Sequence, residues 1–363
     1  MKALYKTIDC IRPTLKHMGI SGVPALYRQK KSLIKRSVQV DHRINGLQIE
    51  PTKICNQKCP MCTQPELKKD EIGHMSFDLF KKIFDQFSHV TTIKLQGLGE
   101  IFTNPDIWQM LEYLKERKVR VLFATNGMLM NDENAKRLIA LGDIDVRFSV
   151  DTFDKEQYSK FRGSKAFDRV IANITRFCEL RRELGRKSLG GKWYPSAEIR
   201  MVYMAENADQ LEKLMRFAAD VGLEQVTATY LLEKRHAQEQ SDHVHSKIDG
   251  LHKDTTAQII EDNKKLGRQL GVHLKTLTYS EDHLQKCIWP WDMPYITYDG
   301  YVTSCCHMEN PKTYTFGDLK TQSFEEIWNG EEYRNMRENF LDLTKNINCR
   351  YCPYIAEEDL PAL

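Results

Sequence analysis

The stretch Leu47-Gln48-Ile49-Glu50-Pro51-Thr52 runs straight into Ile54-Cys55-Asn56-Gln57-Lys58-Cys59-Pro60-Met61-Cys62. The first part alternates and is rich in strand formers, and the second carries cysteines in the spacing C-x3-C-x2-C. Three thiolates on one short loop can converge on one metal centre. A [4Fe–4S] cluster normally takes four thiolates, so three leave one iron open to a substrate or cofactor. A structural zinc site would want a fourth protein ligand, and no His or Cys follows nearby.

Outward from this stretch, short β-rich runs at 47–52, 91–97, 119–125, 143–151, 198–203 and 225–232 alternate with amphipathic segments. Those segments fall at 76–87, 107–117, 134–141, 167–184 and 207–221. Repeated strand–helix alternation predicts βαβ units and a parallel sheet, curved into a partial barrel. Chemistry in such folds gathers in the loops where the strands end, which is where the cysteine loop falls.

The remaining composition is that of a globular protein, with 41% hydrophobic and 28% charged residues. No run of about 18 apolar residues predicts a membrane span, and the first residues lack the apolar core of a secretory signal. Ten cysteines in such a chain point to metal ligation in a reducing cytoplasm. Residues 1–46 hold ten basic and two acidic side chains, a net +8 against +3 for the whole chain. Leu4, Ile8, Ile11, Leu15 and Met18 recur at helical spacing, and a second basic segment spans 28–36. This arm reads as a helix packed on the barrel, or as a basic amphipathic contact with an anionic membrane surface. No nucleic-acid partner is expected.

The cysteine loop and the six βα units resemble those of radical S-adenosylmethionine (SAM) enzymes. The resemblance implies that Cys55, Cys59 and Cys62 hold a [4Fe–4S] cluster whose open iron chelates SAM. It implies a 5′-deoxyadenosyl radical that abstracts hydrogen, and an electron donor such as flavodoxin or ferredoxin. Met61 stands where the family usually has an aromatic, and is implied to lie against the adenine. Gln96-Gly97-Leu98-Gly99-Glu100 resembles the family's glycine-rich segment, with Gly97 and Gly99 admitting the ligand and Glu100 receiving its ammonium. Asn126, Ser149 and Asp151 resemble the polar residues facing SAM, and Arg162 the arginine that meets its carboxylate. Arg200, inside an apolar run, needs a partner: an ion pair, SAM or substrate.

A second cluster follows residue 285. Cys287, Cys305, Cys349 and Cys352, with Cys306 beside them, make a four-thiolate set that suits zinc or [4Fe–4S] on spacing alone. Gly300-Tyr301-Val302-Thr303-Ser304-Cys305 and Phe316-Gly317-Asp318-Leu319 resemble the SPASM and twitch modules of radical SAM enzymes. A full SPASM module has seven cysteines, so five favour a single auxiliary cluster of the twitch type. Cys306 is spare: a ligand, a hydrogen-atom donor or an inert thiol. Cys10 and Cys178 read as packing residues. His236, His243, His245 and His252 read as solvated linker residues rather than a metal site.

The expected organisation is a basic arm (1–46), a partial (β/α)6 TIM-like barrel (47–232), a connecting segment (233–284), a twitch/SPASM-like iron–sulfur domain (285–356) and a tail (357–363). The expected chemistry is dehydrogenation of a hydroxyl-bearing carbon on a sugar or aminocyclitol-like small molecule. The alternatives are a peptide maturase or epimerase using Cys306, and a non-catalytic iron–sulfur or zinc scaffold.

Overall fold

The computed structural model describes residues 23–41, 43–87, 89–187, 193–230, 253–277, 287–306, 310–312, 314–342 and 345. The expectations for residues 1–22, the four linker histidines, Cys349 and Cys352 lie outside the described residues.

Helix α1 (Val23–Lys35) leads to β1 (Gly46–Ile49), then α2 (Phe77–Phe84), β2 (Thr92–Leu95), α3 (Ile107–Glu116) and β3 (Arg120–Thr125). There follow α4 (Asp132–Leu141), β4 (Ile144–Ser149), α5 (Lys155–Arg162) and α6 (Phe167–Leu184). A small hairpin, β5 (Arg186–Lys187) and β6 (Trp193–Tyr194), precedes β7 (Ser196–Tyr203), α7 (Leu211–Val221), β8 (Gln225–Tyr230), α8 (Lys253–Leu270) and β9 (His273–Leu277). The C-terminal module holds α9 (Trp289–Asp292), β10 (Tyr295–Ile296), β11 (Tyr301–Thr303), β12 (Gly317–Asp318), α10 (Phe324–Trp328) and α11 (Glu331–Glu338).

One sheet runs in the order β12-β11-β10-β1-β2-β3-β4-β7-β8-β9. All pairs from β10–β1 to β8–β9 are parallel, and β10–β11 and β11–β12 are antiparallel. This is the parallel-sheet partial barrel that the sequence predicts, with two differences from that reading. Strand β9, assigned above to the connector, joins β8 as a seventh parallel strand. The C-terminal module is not a separate layer: β10 adds to the edge of β1, pairing Tyr295 with Gln48 and Ile296 with Ile49.

Helix starts follow local chemistry. Ser76, Asn131 and Asp154 each accept a hydrogen bond from the backbone N–H three residues on, capping α2, α4 and α5. Period-two alternation then sorts the strands. Leu47, Ile49, Ile93, Leu95, Phe123 and Phe148 are fully buried in one core with the helices, where Phe148 meets Phe177 edge-on at 5.4 Å. A parallel sheet is usually apolar on both faces. Here the other face carries Gln48, Glu50, Gln96, Arg147, Glu198 and Arg200, so the lumen is built for polar contents.

The module's apolar side chains belong to the same core as the barrel's. Phe316 stacks on Tyr333 at 3.8 Å, and Trp291 meets Phe340 at 5.0 Å. The buried Arg337 donates to the carbonyls of Trp328 (2.7 Å) and Val38 (3.3 Å). The segment after α1 is therefore tied to the module. Cys178 is a buried residue of α6, as read.

Candidate metal and cofactor site

The chain leaving β1 is stitched to the chain leaving β2. Gly99 N–H donates to the Thr52 carbonyl (3.1 Å) and Glu100 N–H to the Ile54 carbonyl (2.9 Å). A Cβ on Gly99 would sit 2.4 Å from the Thr52 oxygen and 2.6 Å from the Ile54 oxygen. A Cβ on Gly97 would strike the Glu50 side chain at 2.2 Å. The glycines thus let two chain segments close on each other at the root of the cysteine loop.

The loop closes with a turn, Cys62 N–H to the Cys59 carbonyl at 3.0 Å. Backbone N–H groups two residues on point at sulfur: Gln57 at Cys55 and Gln64 at Cys62, both 3.4 Å. Burial pushes the Cys55 thiol up to about 11, with the charges of Glu100, Cys59 and Cys62 adding to it. Burial also raises Cys59, opposed by Arg162. Half-buried Cys55 and Cys59 thiols that resist ionisation without a cation, in a loop whose N–H donors aim at sulfur, fit a cluster that displaces the protons on binding. No three His, Cys, Asp or Glu among the described residues close on a single metal ion. Ligands to separate corners of a four-iron cluster stand farther apart than that.

Glu100 is buried, and its carboxylate accepts from Thr125 Oγ1 (2.7 Å), Asn126 N–H (2.7 Å) and Phe102 N–H (3.4 Å). Burial lifts it to about 6. Asn126 in turn donates from Nδ2 to Asn56 Oδ1 at 2.6 Å, tying the end of β3 to the cysteine loop. Asp151, fully buried, receives Val202 N–H at 2.8 Å and forms an ion pair with Arg162 at 2.6 Å. The Arg162 guanidinium also faces Cys59, and the Cys59 thiol donates to the Arg162 carbonyl at 3.6 Å. Gly163, at φ +57°, ends α5 where a Cβ would sit 2.2 Å from the Lys58 carbonyl. Asp151 and Arg162 are thus partners of each other, and together they press α5 onto the metal loop. Met61, partly buried, lies between the last two cysteines, and Ser149 ends β4 in register with Arg200.

Arg200 has its partner: Glu198, at 3.6 Å, which Arg147 also pairs at 3.2 Å. Glu198 further accepts from Thr227 Oγ1 at 2.9 Å and from Gln225. Arg120 and Asp145 pair beside them at 2.5 Å. Arg120, Asp145, Arg147, Glu198 and Gln225 line a cavity of about 510 Å³ at the strands' N-terminal ends, away from the cysteines.

The sequence reading missed Glu50. It is fully buried at the end of β1, and accepts from Leu98 N–H (2.9 Å) and Tyr298 N–H (3.5 Å). Lys53 Nζ lies 3.9 Å away, and burial raises the carboxyl to about 7. One carboxylate thereby joins the glycine segment to the C-terminal module. An acid closing an apolar strand just before the cysteines was the available signal. Cys287, Cys305 and Cys306 are partly buried in that module.

Residues 49–218 match the radical SAM superfamily. This stretch of the chain is a radical SAM domain. Residues 287–353 match the SPASM iron–sulfur cluster-binding domain, which names the module. The twitch dehydrogenase resemblance finds no such support. Its cofactors are therefore SAM, the [4Fe–4S] cluster that binds it, and auxiliary iron–sulfur clusters. The tungsten-containing aldehyde ferredoxin oxidoreductase cofactor-modifying protein of Pyrococcus furiosus is 28% identical, over 81% of this chain and 84% of its own. A mycofactocin maturase of Mycobacterium tuberculosis is 28% identical over 48% of this chain and 41% of its own. Streptococcus suis SuiB, crystallised with its precursor peptide SuiA, shares the fold. Its TM-score is 0.63 at 17% identity, over 85% of this chain and 69% of SuiB. No described helix is long and apolar enough to cross a membrane.

Proposed function

We propose that this radical SAM protein is a maturase, modifying a peptide or a protein's cofactor by hydrogen-atom abstraction. The observation that carries this is the match to the Pyrococcus furiosus cofactor-modifying protein, which extends over 81% of this chain and 84% of that protein. The likeness to the mycofactocin maturase, over 48% of this chain, supports the same reading. Both favour the maturase alternative over oxidation of a free sugar or aminocyclitol.

In this reading Cys55, Cys59 and Cys62 hold the SAM-binding cluster, and Cys287, Cys305, Cys349 and Cys352 an auxiliary one. When bound, cluster and SAM supply a 5′-deoxyadenosyl radical. The protein's part is to orient the reactants and exclude water. Glu100 fixes Thr125 and Asn126 at the end of β3. Asn126, Ser149 and Met61 are assigned to the nucleoside and methionine parts of SAM. The Asp151–Arg162 pair positions the loop that bears Cys59. Arg200, with its weak 3.6 Å hold on Glu198, is assigned to substrate in the lumen. Cys306, a partly buried thiol beyond the four-ligand set, is assigned as hydrogen-atom donor. Once it has donated, its thiyl radical takes one electron and one proton, the electron from a flavodoxin or ferredoxin class donor.

The test is SAM cleavage by anaerobically reconstituted protein, supplied with peptide or metabolite fractions from its source cells. Formation of 5′-deoxyadenosine should rise with the peptide fraction and fall when that fraction is first digested with protease. Stimulation by the small hydroxylated metabolites alone would replace the maturase with the dehydrogenase.

A further inference from the structure

Five large apolar side chains are exposed among the described residues: Tyr27, Ile34, Val38, Leu184 and Leu341. Isolated exposed apolar residues are ordinary, and Leu184, at the end of α6, is one. The other four share one neighbourhood. Tyr27 and Ile34 are each 68% exposed on α1, and Val38 follows that helix. Leu341 adjoins Phe340, whose ring lies 5.3 Å from the Arg36 guanidinium at the end of α1.

The pattern on α1 is specific. Tyr27, Lys31 and Ile34 stand at i, i+4 and i+7, one face of the helix. Arg28 and Lys35 form the adjoining stripe, exposed like Lys31. The helix VPALYRQKKSLIK contains no acidic residue at all. Its other face is clamped: Ser32 is buried, Arg36 lies 5.2 Å over Trp291, and Trp291 Nε1 donates to the Ser37 carbonyl at 2.9 Å. The exposed face is thus presented by a fixed helix. The cores of protein–protein interfaces are poor in lysine, whereas apolar side chains set among basic ones suit the boundary between anionic headgroups and acyl chains.

We propose that α1, with Val38 and Leu341 beside it, docks this protein on an anionic lipid surface. Tyr27 and Ile34 enter the headgroup layer, and Arg28, Lys31 and Lys35 meet the phosphates. The SPASM module, to which α1 is clamped, is then the part held nearest the lipid. The proposal is independent of the maturase reading, because its assay reads no turnover.

Flotation of the reconstituted full chain with vesicles of phosphatidylglycerol in phosphatidylcholine tests it. Binding should be about tenfold or more stronger than to pure phosphatidylcholine, and should fall as salt is raised. Lys31→Glu with Lys35→Glu should reverse most of that gain, roughly tenfold, by removing two cations and adding two anions. Tyr27→Ser with Ile34→Ser should weaken binding several-fold and leave its salt dependence in place. All four positions are exposed, so iron content and melting temperature should stay unchanged and report a folded protein. Absence of flotation by the intact chain, equal flotation with neutral vesicles, or variants that float like the parent would each overturn the proposal. So would self-association that both double variants abolish, with no vesicle binding, since that assigns the face to a second copy of the chain.

Discussion

At the C-terminal ends of the strands, Glu50, Glu100 and Asp151 each accept a backbone N–H from a neighbouring segment. At the opposite ends, Asp145 and Glu198 are each gripped by an arginine. A carboxylate held chiefly by peptide dipoles in a buried place stays costly to ionise, and Glu50 and Glu100 rise to about 7 and about 6 accordingly. Each instead fixes where one chain segment lies on another. Asp151 combines both modes, because a fully buried acid beside Arg162 needs the counter-charge. The barrel mouth is thus assembled by acid hooks around the metal loop, while the base is a wall of ion pairs.

The largest expected effect removes what the hooks surround. Changing Cys55, Cys59 and Cys62 together to Ala should take iron from about eight to about four atoms per chain, as two four-iron clusters require. Formation of 5′-deoxyadenosine should stop, and the remaining iron should stay with the module. Loss of all the iron would mean that mouth and module are not separate centres.

Next, Asp151→Ala should cost about 3–5 kcal/mol, because it strands a buried guanidinium. Glu198→Ala strands two arginines whose side chains are 21% and 22% exposed, and water should hold its cost to about half as much or less. Chemical denaturation of the two variants under one set of conditions decides; equal losses would erase the distinction between mouth and base.

The acid hooks also predict a pH dependence. A carboxyl raised in the folded state binds protons there that the unfolded chain has released, so its contribution to stability declines as pH rises. For Glu50 the window runs from its ordinary 4.5 to about 7. Glu50→Gln should flatten the fall in stability across that window, by up to about 3 kcal/mol. A variant that keeps the parent's slope would show that Glu50 does not titrate there.

The smallest effect is among the contacts to Glu198. Arg200→Gln removes the longer of the two arginine contacts to Glu198 and should change stability by no more than about 1 kcal/mol, with iron content unaltered. A larger loss would make Arg200 a structural strut rather than the residue assigned to substrate.

The metal loop was legible because its signal is local. Three cysteines within eight residues converge wherever the chain takes them, and the strand before them shows in its alternation. The βα order was legible for the same reason, as was the packing role of Cys178. The sequence marks Asn126, Asp151 and Arg162 as candidates, but not what each touches. Whether Arg162 meets Asp151 depends on how α5 folds back on the end of β4, and no periodicity records that path. Tertiary structure alone placed Glu50 between the glycine segment and the module, because its partner Tyr298 arrives from the far end of the chain. It alone added β9 to the sheet, set β10 against β1, and clamped α1 to Trp291. Pairings between distant segments are chosen by which buried groups can satisfy one another in three dimensions, whereas spacing and periodicity report only what each segment can do by itself.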